Sequence, residues 1–426
     1  MTHASWFLAA CWCAQALQNA RRPVSRRRTA ASAAPASAAP AASAAAPAGA
    51  PPLRQETLAL PLADLATLVG GSGRAKSIWE ALMSQTEPLS PDSALSRHTR
   101  SALAHVESFV PAVLDALPDR SADGTTKILV KFRDGAQVEA VLIPHLSLNR
   151  TTLCISTQVG CDRGCTFCAT ARMGLVRNLD ADEILAQVYL ARGVAKQCAD
   201  LGLGMAPLTN IVFMGMGDAG RNSGNVRRAV EALADRLKFS FAQSKITMST
   251  VGPSPEAFAD LAKAPGMLAW SVHSADDVLR KQLVPTHGPY TVIQLRNGLV
   301  RALSGRASRG RTCMIAATLI AGINDSDEDA EKLARFVGPI VDVAGKLSVD
   351  LIPCNPTDHA PHFHRPSKER LDAFAAKIRE IEPRAHVACR LTRGDEGKAA
   401  CGQLLVSRQR KQLREMHLED DEPDEA

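Results

Sequence analysis

Gly160-Cys161-Asp162-Arg163-Gly164-Cys165-Thr166-Phe167-Cys168 sets three thiols at the spacing C-x3-C-x2-C, in a loop directly after the apolar run Leu153 to Ser156. Three thiolates can each hold one iron of a 4Fe-4S cluster and leave the fourth iron open to a small ligand. A structural zinc site needs a fourth nearby Cys or His in closed tetrahedral geometry, and the loop offers none. The spacing therefore marks Cys161, Cys165 and Cys168 as ligands of a cluster.

Beyond this loop, short apolar runs alternate with longer amphipathic stretches. The expected strands are Leu153 to Ser156, Asn210 to Met214, Lys245 to Ser249, Leu268 to His273, Met314 to Leu319 and Leu347 to Ile352. Helices are expected near 181 to 197, 223 to 237, 254 to 264, 290 to 304, 327 to 337 and 367 to 381, several led by Asp or Ser at N-cap positions. Six strand-helix units make an α/β fold with a parallel sheet, either doubly wound or a partial barrel. Both gather ligands at the C-terminal ends of the strands. One such end carries Met214-Gly215-Met216-Gly217-Asp218, whose glycines let backbone approach a ligand closely.

Upstream, residues 56 to 125 read as a small helical accessory domain, with apolar spacing in Leu65, Leu68, Ile78 and Leu82 and again in Ala102, Leu103, Val106, Phe109 and Val113. Residues 126 to 150 read as a β-hairpin, Lys127 to Phe132 and Val138 to Ile143 around Asp134-Gly135. The core then runs from 151 to 405, and a basic then acidic tail occupies 406 to 426.

Residues 1 to 55 combine the apolar stretch Trp6 to Leu17, an arginine cluster and an Ala/Pro/Ser tract, without one Asp or Glu. Such composition is expected of a two-stage targeting leader, with the plastid as destination and mitochondrion or cytoplasm as alternatives. The formal charge of +6 is unevenly spread. The six arginines of the leader leave the remainder neutral, and six carboxylates between Glu419 and Glu425 leave residues 56 to 418 again at +6. That excess permits a basic face for nucleic acid. Eleven cysteines, an odd count over a long chain, differ from a secreted disulfide framework. No run of 18 apolar residues occurs, so no membrane partner is expected.

Six ordered motifs carry a resemblance: Leu153 to Cys161, Asn210 to Gly217, Ser249-Thr250-Val251-Gly252, Ser271-Val272-His273, Leu351 to Pro356, and Thr392-Arg393-Gly394-Asp395 with Ala400-Cys401-Gly402-Gln403-Leu404. Together they resemble the RlmN/Cfr family of radical S-adenosylmethionine (SAM) RNA adenine methyltransferases, over about Leu58 to Leu404. The resemblance implies a partial (β/α)6 barrel, a 4Fe-4S cluster and SAM as cofactors, and methylation of adenine carbon 2 in ribosomal RNA, with transfer RNA as a further substrate. Carbon 8 is the alternative position, and an inactive RNA-binding homologue the alternative class.

By the same resemblance Cys401 accepts a methyl group from one SAM, a second SAM starts the radical step, Cys154 resolves the product through a transient disulfide, and Glu139 takes the ring proton. Gly217, Asp218, Ser271, Val272, His273 and Asn355 are the implied SAM contacts. Gly217-Asp218-Ala219 departs from the family's Gly-Glu-Pro. A low-potential donor such as flavodoxin or ferredoxin and a monomeric state are expected. Arg301 to Arg311 and Arg408 to Arg414 are the basic stretches expected to meet RNA. His359, His362 and His364 read as part of a solvated loop.

Overall fold

The computed structural model describes residues 57–89, 95–103, 106, 108–286, 288–390, 392–394 and 397–406. The leader, Asp395 and the tail beyond residue 406, with Arg408 to Arg414, lie outside the described residues. The chain divides after Glu56 into two units, and everything described belongs to the second.

Helices α1 (Leu62–Val69), α2 (Ser72–Met83) and α3 (Arg97–Ala102) come first. Trp79 of α2, 1% exposed, packs edge-on against Phe239. The Lys238 ammonium lies 4.8 Å from the Trp79 ring and donates to the carbonyls of Leu58 and Leu60. Strand β1 (Ala112–Leu114) follows, where a helix through Val113 was expected. Pro111 accounts for the difference, because it lacks an N–H and biases its predecessor towards extended backbone. Ala112 to Leu114 instead pairs with Val130 to Phe132, leaving Val113 exposed.

Strands β2 (Asp119–Arg120), β3 (Thr126–Phe132), β4 (Gln137–His145) and β5 (Arg150–Cys154) continue the chain. The expected hairpin is β3 and β4, turned at Asp134-Gly135. It belongs to the main sheet, since β4 pairs antiparallel with β5, and β1 and β2 pair with β3 on its outer side.

The small hairpin β6 (Gln158–Gly160) and β7 (Leu175–Asn178) frames the cysteine loop. Then come α4 (Ala181–Asp200), β8 (Leu208–Phe213), α5 (Ser223–Ala234), β9 (Ile246–Thr250), α6 (Pro255–Ala262), β10 (Met267–Ser271), α7 (Asp277–Leu283), α8 (Val292–Ser304), β11 (Thr312–Leu319), α9 (Asp327–Val341), β12 (Lys346–Pro353), α10 (Lys368–Ile381) and β13 (His386–Cys389). Helix α4 shows the local logic. Asp180 and Glu183 form a capping box, and most of the helix is buried, as befits one covered on several sides. Among the described residues no helix is long and apolar enough to cross a membrane.

The parallel strands lie in the order β5-β8-β9-β10-β11-β12-β13. Chain order and spatial order coincide, without the reversal that defines a doubly wound sheet, so the array is barrel-like. Among the described residues β13 does not pair with β5, and the barrel stays open between them. Every parallel strand thus delivers its C-terminal residue to one end of the barrel. Arg301 to Arg311 lead into the N-terminal end of β11 and lie at the opposite end. Arg306 and Arg311 there donate to carbonyls of Gly310, Ala264, Arg306 and Ser304.

Candidate active site

Gly160, at φ +77°, opens the cysteine loop. A Cβ at this position would lie 1.9 Å from the Gly174 carbonyl oxygen, which accepts from the Cys161 N–H at 2.8 Å. Only glycine permits this closure. Cys161 and Cys165 are buried and Cys168 is half-buried. Phe167, Leu283, Val284, Ile320 and Cys354 form an apolar cluster with Cys165, and Phe363 of the histidine-rich tract packs against it.

Burial pushes all three thiols up: Cys161 to about 12, Cys165 well above its ordinary value, and Cys168 also above its own. Neighbouring sulfurs raise Cys165 further, while the Arg280 guanidinium opposes. Iron would displace these protons, because the metal-bound form is the thiolate. Three soft donors, a dry shell and the buried cations Arg163 and Arg280 fit a negatively charged iron-sulfur cluster. Among the described residues no three His, Cys, Asp or Glu side chains converge on one metal-ion position. A cluster asks for one thiolate at each of three separate irons, which is a wider triangle than a single zinc ion takes.

The next strand ends supply the surroundings. Gly217 has φ +94°, and a Cβ there would meet Gln158 Cβ at 2.6 Å. The Asp218 carboxylate is 3% exposed and accepts from Thr250 Oγ1 at 2.6 Å, Gly220 N–H at 2.7 Å and Val251 N–H at 2.9 Å. It therefore bolts the end of β8 to the end of β9. Burial raises its pKa, and these hydrogen bonds hold it down.

Ser271 Oγ lies 3.3 Å from Ser249 Oγ, two hydroxyls on adjacent strand ends. Val272 is fully buried, its N–H donating to Ala316 O and its carbonyl accepting from Arg280 Nε. His273 takes a left-handed backbone, φ +62°, and its Nδ1 accepts from the Thr318 N–H at 3.2 Å. The remaining imidazole proton is thereby assigned to Nε2. Burial holds His273 down to about 3, and its ring meets Phe167 edge-on with centroids 4.8 Å apart.

Cys154 ends β5 opposite Val141, and Glu139 lies two residues along on the same face of β4. Burial raises the Cys154 thiol to about 12, and the sulfur of Cys401 beside it adds to the rise. Cys401 is exposed as a residue, yet protein surrounds its sulfur. Its thiol is raised, by burial first, with the Arg390 guanidinium opposing. Arg390 follows β13 and pairs with Asp350 at 2.7 Å. It lies near both Cys154 and Cys401. The fold thus brings Cys401 within electrostatic reach of Cys154, Cys168 and Arg390.

Asn355 donates from Nδ2 to the Cys401 carbonyl at 3.0 Å, while its Oδ1 accepts from Arg365 and Thr392, each at 3.0 Å. Glu139 is buried, and burial raises its pKa while Lys127 opposes. Thr170, Gln158, Lys127, Arg365 and Arg390 are contributors that motif reading did not single out. Two carried a signal: Gln158 lies within the motif Leu153 to Cys161, and Thr170 stands two residues after Cys168.

The Radical SAM superfamily model matches residues 155–337. A crystal structure of a radical SAM methyltransferase from Sphaerobacter thermophilus agrees at a TM-score of 0.70 and 35% identity, covering 82% of this chain and 98% of that one. The fold and the cysteine loop are those of a radical SAM enzyme, a class that implies a 4Fe-4S cluster and SAM. A probable RNA methyltransferase of Sorangium cellulosum is 36% identical, over 81% of this chain and 85% of its own. The dual-specificity RNA methyltransferase RlmN of Oleidesulfovibrio alaskensis is 36% identical, over 78% and 90%. That of Stenotrophomonas maltophilia is 37% identical, over 72% and 76%. This chain belongs to the RlmN family of radical SAM RNA methyltransferases.

Proposed function

We propose that the protein methylates carbon 2 of an adenine in ribosomal RNA, with transfer RNA as a second substrate, using two SAM per turnover. The observation that carries this reading is the Cys401 loop, held to the cluster loop by Ala169 and Thr170 and within electrostatic reach of Cys154. A cluster held by Cys161, Cys165 and Cys168, reduced by a flavodoxin or ferredoxin, supplies the electron that cleaves SAM and begins radical chemistry. Gly217 backbone, Ser271 and the Nε2–H of His273 line the strand ends where SAM would lie.

Cys401 accepts a methyl group on its sulfur, releasing S-adenosylhomocysteine, and carries it as a thioether. That methyl loses a hydrogen atom to the 5'-deoxyadenosyl radical from the second SAM, its carbon bonds to the adenine carbon, and the one electron left over on the adduct would return to the oxidised cluster. Glu139 takes the ring proton, and a carboxylate made more basic by burial suits that task. Cys154 then attacks the Cys401 sulfur. The new S–S bond replaces the bond from the Cys401 sulfur to the methylene carbon, which takes up a proton as the methylated base leaves, and a thiol reductant restores the pair.

The test is anaerobic iron-sulfur reconstitution, incubation with SAM, reductant and ribosomal RNA, and mass spectrometry of the RNA nucleosides. The expected product is 2-methyladenosine. 8-Methyladenosine, or no methyladenosine, would overturn the assignment. Cys154→Ala is expected to methylate Cys401, cleave SAM and stall with RNA attached. The leader is proposed to direct the chain to plastids; a fluorescent fusion of residues 1 to 60 left in the cytosol would refute that.

A further inference from the structure

After Cys168 the chain enters the short 3-10 turn Ala169–Met173 and touches the Cys401 loop twice. The Ala169 N–H donates to the Gly402 carbonyl at 2.7 Å, and the Thr170 hydroxyl donates to the Leu404 carbonyl at 2.7 Å. Thr170 is 2% exposed. Thr170 stands two residues after the cluster ligand Cys168. One side chain therefore ties the segment that supplies a cluster ligand to the loop of the exposed cysteine.

That loop belongs to no helix or strand, so its place depends on such ties. Asn355 holds the Cys401 carbonyl, Gln403 Nε2 donates to the Pro356 carbonyl at 2.9 Å, and Glu139 holds Leu405. These ties come from strands and strand ends that the main sheet places in advance. The ties from Ala169 and Thr170 differ, because they originate in the segment that supplies Cys168. A thiol that must meet SAM in line is sensitive to displacements of about 1 Å.

We infer that Thr170 is a positioning residue, locking the Cys401 loop to the cluster loop so that ordering the cluster loop sets the place of the methyl-accepting sulfur. The inference rests on Cys401 being the acceptor. Thr170→Val keeps the shape and removes the donor, and Thr170→Ser keeps the donor. In reconstituted protein, Thr170→Val should retain its iron, methylate the Cys401 peptide about tenfold more slowly, the effect of one buried hydrogen bond, and exchange amide hydrogens faster over residues 397–406. Thr170→Ser should restore both rates.

A cluster-loaded Thr170→Val protein with wild-type methylation and exchange would overturn the inference, as would a serine variant as slow as valine. Wild type that leaves Cys401 unmethylated while making methylated RNA would instead sink the acceptor role itself. Should the valine variant take up no iron, amide exchange of the wild type before and after iron-sulfur loading decides. The inference requires slower exchange over 397–406 after loading, and equal exchange refutes it.

Discussion

The Glu139 carboxylate accepts from the Leu405 N–H at 2.9 Å and pairs with the Lys127 ammonium at 3.2 Å. Strand β4 thereby holds the segment that follows Cys401 through a buried charge, and the proposed base has a second, structural task. The two tasks are separable. In Glu139→Gln the amide oxygen can still accept from Leu405 while the proton acceptor is lost. Methylation of Cys401 should stay within a few-fold of wild type, and RNA methylation should fall by about 10² to 10⁴, the usual worth of a general base. Loss of both activities in parallel would assign Glu139 to the structural task alone.

Methyl transfer to Cys401 should quicken with pH. The thiolate is the nucleophile, and burial raises this thiol above its ordinary value, so the thiolate is a minor species near neutrality. Below the thiol pKa the rate should climb about tenfold per pH unit. Initial rates of Cys401 methylation from pH 7 to 9, read by peptide mass, measure this. A flat profile would mean that the thiolate is already formed at pH 7.

Asp218→Asn should destabilise the fold by about 2 to 3 kcal/mol, the cost of leaving buried donors unmatched. The carboxylate accepts on both oxygens, so an amide must turn its NH2 group against either the Val251 N–H or the Thr250 and Gly220 donors. Denaturant midpoints of the two proteins decide, and equal stability would show that these bonds contribute little.

His273 ties stability to acidity. Its folded pKa, held down to about 3 by burial, lies below the ordinary value of 6.5. Between these values the unfolded chain binds a proton that the folded one refuses, so stability is lost as pH falls from 6.5 towards 3. From pH 6.5 to 5 this contribution is about 2 kcal/mol. Replacing the imidazole by the non-titrating amide of His273→Gln should remove that part of the acid sensitivity, seen by comparing unfolding midpoints at pH 7 and 5. Equal pH dependence in both proteins would contradict it.

What was legible beforehand follows the range of the interactions involved. Cys161, Cys165 and Cys168 lie within one loop, so their spacing alone implies a common ligand. Between Leu153 and Ile381 the six parallel strands and six of the helices are visible through periodicity, a local property, whereas the short β6, β7 and α7 are not. Strand β13 escaped notice because His386 to Cys389 is too short to show a period. Val113 was misread because the apolar spacing ran on past Pro111, whose consequence is extended backbone paired with a distant strand.

The sequence by itself determined the thiol triad, the alternation of elements and, through six motifs, the family. Only the tertiary structure showed, strand by strand, the order around the open barrel that the resemblance implied, since strand neighbours are chosen by non-local packing. It also turned Asp218 onto Thr250 and Val251 and carried Arg301 to Arg311 to the far end of the barrel from the cysteines. It brought Cys401 to Cys154 and fastened its loop to Thr170. Side-chain direction and loop placement depend on what stands opposite in space, and the residues adjacent in the chain do not specify it.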